Sequence, residues 1–190
     1  MSETIFTGKL TRLVGIEPEK AGERMAQWSR DSEYVQLYNS SQAAPRYAKQ
    51  IQDRLRNELD KARPGDFYFL VQPLDDERVI GEVGLWSALT PHRNAWLAVA
   101  IGERELWGKG YGSDAVRITL RYGFQELNLH RINLNVFGYN TRAIRAYEKL
   151  GFAHEGAIRG ALKRYGRRWD ILFMGILREE WERAQVAGSK

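Results

Sequence analysis

The stretch ELWGKGYGSDA, residues 105–115, sets Gly108, Gly110 and Gly112 at alternating positions, with Lys109 and Tyr111 between them and Ser113 next. Such a run gives up side-chain packing and lets the backbone come close to a bound group. It follows an apolar run and opens a segment in which Val116, Leu120 and Leu127 recur at helical spacing. The head of a helix carries unpaired N–H groups and a partial positive charge, so this junction suits a phosphate or diphosphate. A tight turn that holds nothing is the other reading. Gly110 to Ala115 fits the literal dinucleotide pattern G-x-G-x-x-G/A. That fingerprint, however, belongs in a first strand–helix unit, with an acid ending the next strand. Here the loop lies past mid-chain and the next strand ends Phe137-Gly138-Tyr139-Asn140, without an acid. A P-loop is excluded, because Lys109 is followed by Gly110 and not by Ser or Thr.

A second stretch, NVFGYNTRAIRAYEKLGF at 135–152, puts Asn140, Ala143, Tyr147 and Leu150 three or four residues apart, on one helical face. Asn140 reads as an N-cap or as a ligand contact, Gly151 as the C-cap, and Tyr147 as a core ring or a working phenol. In the strand before it, Ile132, Leu134 and Val136 point one way, and Arg131, Asn133, Asn135 and Phe137 the other. A parallel strand buried on both faces is apolar throughout. The polar side of this one can therefore line a site.

The elements that must position these residues follow from periodicity. Strands are expected at 5–16, 67–72, 78–88, 95–102, 131–137, 152–161 and 167–177, the 67–72 and 78–88 pair forming a hairpin across PLDDE. Helices are expected at 17–31, 45–62, 111–126 and 140–151, then a short terminal helix that frays from about 182 to 190. The pattern is mixed α/β: a hairpin region, then strand–helix–strand–helix–strand, without linker or repeat, in one domain spanning 1–190.

Composition narrows the function classes. Hydrophobic residues make up 43% and aromatics 12%, which argues for a packed core and against disorder. No apolar run approaches the ~20 residues of a membrane span, and MSETIFTGKL has no signal-type apolar region, so a cytoplasmic soluble protein is expected. Without cysteine there is neither disulfide nor thiolate nucleophile, and His130 and His154 lack metal-ligand spacing, so no metal is expected. The excess of 29 basic over 24 acidic residues is modest and dispersed, compatible with a phosphorylated ligand and weak as a nucleic-acid footprint. KRYGRRW (163–169) reads as a charged β-turn or as a contact for RNA or an acidic protein.

LWGKGYGSDA followed by NLNVFGYNTRAIRAYEKLGFAHEG resembles the GNAT-type N-acetyltransferases, in the branch that acetylates ribosomal-protein N-termini, polyamines and related amines. The resemblance is most specific across 101–156. It implies a mixed six- to seven-stranded sheet flanked by helices, with acetyl-CoA as co-substrate. N–H groups around Gly108 to Ser113, with Lys109, Gly110, Tyr111 and Gly112 between, would hold the diphosphate. Main chain near Ile101 would pair with the pantetheine arm where central strands splay. Asn140, with Asn135 and Ala143 beside it, would contact the cofactor, and Tyr147 would protonate the leaving thiolate. The family loop has Gln or Arg where this chain has Trp107, which removes a side-chain contact and keeps the backbone cradle.

Without cysteine or a G-x-S-x-G elbow, direct attack of an amine on the thioester is expected. Glu82 in VIGEVGLW, mid-strand between Gly81 and Gly84, reads as the base or as a solvent-facing strand residue. Glu103 and a relayed water are the reserves. The expected partner is an amine acceptor, a small molecule or a protein N-terminus, with no membrane and a homo-oligomer left open. The alternatives are an inert acyl-CoA sensor and a ribosome- or RNA-docking protein.

Overall fold

A computed structural model describes residues 4–61 and 63–188. Its strands are β1 (Thr11–Val14), β2 (Phe67–Pro73), β3 (Gly81–Trp86), β4 (Asn94–Ile101), β5 (Arg131–Phe137), β6 (Ala153–Arg164) and β7 (Arg167–Leu177). They form one sheet in the order β1-β2-β3-β4-β5-β7-β6, antiparallel everywhere except at β4–β5. The helices are α1 (Pro18–Trp28), α2 (Ser32–Tyr38), α3 (Ala48–Asp60), α4 (Tyr111–Arg121), α5 (Thr141–Lys149) and α6 (Arg178–Gly188). Alternation along the strands sorts the core into two layers. Leu85, Leu97, Leu134 and Val136 pack with Val116 and Leu120 of α4 and Tyr147 of α5. Leu70 and Ala100 point the other way, onto Ala21 and Met25 of α1, Tyr34 of α2 and Ile51 of α3. No helix among the described residues is long and apolar enough to cross a membrane.

Several expected boundaries move, each for a local reason. The strand expected at 5–16 shrinks to Thr11–Val14, because the chain before it reverses in a turn, with Gly8 N–H bonded to Thr11 O and Leu13 N–H to Phe6 O, and side chains hold that turn. The Asp114 carboxylate accepts the N–H groups of Lys9, Leu10 and Thr11, and the Arg121 guanidinium donates to the carbonyls of Ile5 and Thr7. The helix expected at 17–31 ends at Trp28. Asp31 then caps a new helix, accepting from Glu33 N–H at 3.0 Å and Tyr34 N–H at 3.2 Å, so α2 occupies a stretch after residue 31 where no element was expected. The helix expected at 45–62 begins at Ala48 and runs to Asp60, and its last residue, 62, lies outside the described residues. The strand expected at 78–88 is confined to Gly81–Trp86, and that at 152–161 continues to Arg164. The helix expected at 111–126 is regular to Arg121 and widens into a π-type turn over Tyr122–Glu126. The tail expected to fray from 182 is helical to Gly188, and residues 189–190 lie outside the described residues.

Candidate active site

The glycine loop sits at the head of α4. Gly108 has φ +76° and Gly110 φ +95°, conformations that only glycine adopts freely. Gly110 is the N-cap and offers no side chain. Asp114 N–H is the first in the helix to find an acceptor, Gly110 O at 2.9 Å, so the N–H groups of Gly110, Tyr111, Gly112 and Ser113 precede the ladder. Space stays open above Gly108, where a Cβ would meet nothing within 4 Å. Here is a cradle for an anion.

The junction of β4 and β5 supplies the opening beside it. These parallel strands pair only over Asn94–Trp96 and Arg131–Asn133 and then part. Ala95 O accepts from Asn133 Nδ2 across the junction at 3.2 Å. Alternation turns the main-chain groups of Leu97, Val99 and Ile101 the same way, where β5 no longer meets them. A cavity of about 900 Å³ occupies this gap and reaches both faces of the sheet.

Of the sequence-expected residues, Ile101, Gly108, Gly110, Gly112, Ser113, Asn135, Asn140, Ala143 and Tyr147 line the cavity. Lys109 and Tyr111 do not: Lys109 N–H is given to Leu106 O at 3.3 Å, and Tyr111 packs against the cluster of Leu13, Val71 and Ile118. Ile101 O is already taken by the Trp107 indole N–H at 2.7 Å, which leaves its N–H for any partner. Asn140 caps α5 by accepting Ala143 N–H at 3.2 Å, which leaves its amide NH₂ to the cavity. Tyr147 packs edge-on to Phe152 at 5.8 Å, and no group among the described residues hydrogen-bonds to its hydroxyl. Burial pushes that phenol up to about 12.

Glu82 lies on the opposite face, behind the cavity wall. Burial pushes its carboxyl up from the ordinary range, against the nearby Tyr38 phenol and the attraction of Arg54, which favour its charge. Tyr38 lines the cavity, and Glu82 stands beside that phenol without lining the cavity itself. The reserve, Glu103, is spent: it accepts from Trp28 Nε1 at 2.8 Å and pairs with Arg24.

Sequence reading missed two groups. Arg117, Arg142, Arg145 and Lys149 line the cavity without a carboxylate in ion-pair reach among the described residues. Three of them recur at i, i+3 and i+7 on α5, a signal that was there to be read. Tyr34, Tyr38, Trp86 and Trp96 form the far mouth, and no local pattern joins α2 to β3 and β4.

Comparison with known proteins agrees with this geometry. The profile of the acetyltransferase (GNAT) domain matches residues 12–153. The chain belongs to the GNAT acetyltransferase family. This GNAT chain is 32% identical over 182 residues to the uncharacterised N-acetyltransferase p20 of Bacillus licheniformis, covering 94% of this chain and 98% of that protein. The spermidine N(1)-acetyltransferase of Vibrio cholerae is 34% identical over 105 residues, 55% of this chain and 60% of that one. The crystal structure of spermidine N-acetyltransferase from Vibrio cholerae in complex with CoA and spermine shares the fold, with a TM-score of 0.77 at 24% identity, over 90% of this chain and 98% of that one. The chain is thus an acetyltransferase by family, with a seven-stranded GNAT sheet.

Proposed function

We propose that this chain transfers an acetyl group from acetyl-CoA directly to a primary amine within one ternary complex. One observation carries the reading: a single cavity joins the open N–H groups at the head of α4, the unpartnered Tyr147 hydroxyl and a second mouth on the far face of the sheet. The residues fit a nucleotide thioester. The glycine cradle and the acid-free cations Arg117, Arg142, Arg145 and Lys149 suit a polyanion. Bound there, acetyl-CoA supplies a thioester carbonyl open to an amine.

The rest is work for this chain's own groups. The N–H groups from Gly110 to Ser113 hold the diphosphate, and Arg142 neutralises it. Main-chain N–H groups turned into the gap, those of Val99 and Ile101 foremost, polarise the carbonyl oxygen. Glu82 takes the amine proton through Tyr38 or a water. The nitrogen–carbon bond forms as the carbon–sulfur bond breaks, and Tyr147 donates its proton to the departing sulfur. A free phenol at that position favours an enzyme over an inert sensor.

Calorimetry with acetyl-CoA, followed by thiol release with mixed primary amines, tests the reading. Gly110→Val puts a β-branched side chain at φ +95°, 3.3 Å from Leu10 Cδ1, and is expected to weaken acetyl-CoA binding more than ~10-fold, or about 1.4 kcal/mol. Unchanged affinity removes the cradle from the site. Binding without thiol release from any amine overturns the enzyme reading.

A further inference from the structure

We infer that the acceptor is a primary monoamine carried on a flat apolar ring system, and not a polyamine. The inference rests on the acetyl-transfer reading and concerns the mouth of the cavity opposite the glycine loop.

Register builds that mouth. Trp86 of β3 and Trp96 of β4 are direct cross-strand partners, and Ala98 and Ala100 follow Trp96 on the same face. Two alanines keep the floor low where longer side chains would fill it. Tyr34 and Tyr38 of α2 add a further wall, their rings 5.8 Å apart and inclined by only 16°. Both indoles are held by other rings. Tyr68 stacks on Trp86 at 5.5 Å and 22°, and Phe173 meets Trp96 edge-on at 6.1 Å and 77°. Flat faces fixed in advance favour a flat guest, because stacking is gained without ordering the walls.

Charge decides against a polycation. Among the described residues, no Asp or Glu lines the cavity, and its charged lining is entirely basic. Nearby carboxylates are engaged elsewhere: Asp31 and Glu33 with Arg104, Glu103 with Arg24, and Glu58 with Arg54. Glu82 stands behind the tyrosine wall, and Asp66, near Tyr68, accepts Ser87 N–H at 3.0 Å. Each ammonium taken out of water needs an anion or an aromatic face. One carboxylate and a few rings serve one ammonium, which is then deprotonated for attack. The further ammonium groups of a polyamine would find no carboxylate on the lining of that mouth, because the charged lining belongs to α4 and α5 at the glycine-loop end. In the transfer, the acceptor nitrogen gains the acetyl carbon, its proton leaves toward Glu82, and the sulfur departs as thiol with the Tyr147 proton.

The test is thiol release by the full-length protein at saturating acetyl-CoA, with tryptamine, 2-phenylethylamine, hexylamine, spermidine and a short peptide with a free N-terminus. The two aromatic amines are expected to exceed spermidine and the peptide by about 100-fold in kcat/KM, and hexylamine by about 10-fold. Trp86→Leu is expected to raise KM for tryptamine about 10-fold, leaving hexylamine within about threefold and acetyl-CoA affinity unchanged. The amine ranking is read on the unaltered protein, so it stands however the variant folds. Spermidine or the peptide matching the aromatic amines overturns the inference while transferase activity stands, and so does hexylamine equalling them. Failure of acetyl-CoA to bind, or of every amine to release thiol, removes the transferase reading and this inference with it.

Discussion

The guanidinium of Arg142 lies 4.2 Å from the centroid of the Trp107 indole, whose N–H is anchored on Ile101 O at 2.7 Å. Arg104 approaches the same ring at 4.9 Å but is engaged by Asp31 and Glu33, and Arg142 has no carboxylate in ion-pair reach among the described residues. Desolvation lowers the pKa of Arg142, more than the distant Glu33 raises it, so this cation lacks an anion. Arg142→Ala is expected to weaken acetyl-CoA about tenfold or more while leaving acetylpantetheine, which has no nucleotide phosphates, unchanged. Trp107→Ala should reproduce that loss, and the two changes should not add, because the indole acts as the platform for the guanidinium. Calorimetry with both ligands checks this, and equal losses for both reject a phosphate role.

Asp114 ties β1 to the head of α4. Its carboxylate accepts from the N–H groups of Lys9 at 3.1 Å, Leu10 at 2.9 Å and Thr11 at 2.9 Å, and from the Thr11 hydroxyl at 2.9 Å. Burial alone would raise its pKa, yet these donors together hold it below the ordinary carboxylate value. A depressed pKa means stability that is present above the unfolded value and lost as pH falls through the folded one. Asp114→Ala should cost about 3 kcal/mol in urea unfolding near neutral pH, since it strands buried donors. The gap between variant and wild type should narrow on acidification below the usual Asp pKa, and a gap that stays constant to lower pH removes the charge from the explanation.

How much of this was legible follows from where each contact closes. The glycine loop and the Asn140–Tyr147 face are local, so spacing alone placed them on one helix head and one helix face, and both line the cavity. Residues 5–10 misled because the chain turns back on itself there, Gly8 N–H bonding Thr11 O, and the side chains of Asp114 and Arg121, about a hundred positions away, hold that turn. α2 escaped because Asp31 is a cap that an uninterrupted helical reading passes over. Glu82 was legible as an odd mid-strand carboxylate, but the cavity-lining residue beside it, Tyr38, stands on an element the sequence did not disclose. The Trp86–Trp96 pairing depends on strand register, which alternation alone does not set.

Glu82 is expected to trade stability for activity. Burial raises its carboxyl pKa, so its contribution to stability is fully present below the unfolded value and is lost as pH rises through the folded one. Glu82→Gln removes the buried charge. The variant should be more stable than wild type at mildly alkaline pH and converge with it at acidic pH, as read by thermal unfolding. Its kcat/KM should fall by about 10² to 10⁴, with the alkaline rise of the wild-type rate flattened. Stability curves that run parallel across the whole range would mean that the carboxyl titrates as in the unfolded chain.

Tyr147 gives the sharpest test. Tyr147 borders the cavity, its hydroxyl has no hydrogen-bond partner among the described residues, and burial pushes its pKa up to about 12. The phenol therefore keeps its proton throughout the working range and can give it to a sulfur that would otherwise leave as an anion. Tyr147→Phe retains the ring and its edge-on contact with Phe152 at 5.8 Å, so stability should change by less than about 1 kcal/mol. Turnover with acetyl-CoA should fall by about 10² or more while its affinity stays within a few-fold. The leaving group separates acid catalysis from positioning. An acetyl donor whose thiol is far more acidic needs no proton as it departs, so the loss caused by Phe should shrink toward nothing with that donor. A loss of the same size for both donors would assign Tyr147 to holding the thioester in place, and the proton would have to come from another group in the gap between β4 and β5.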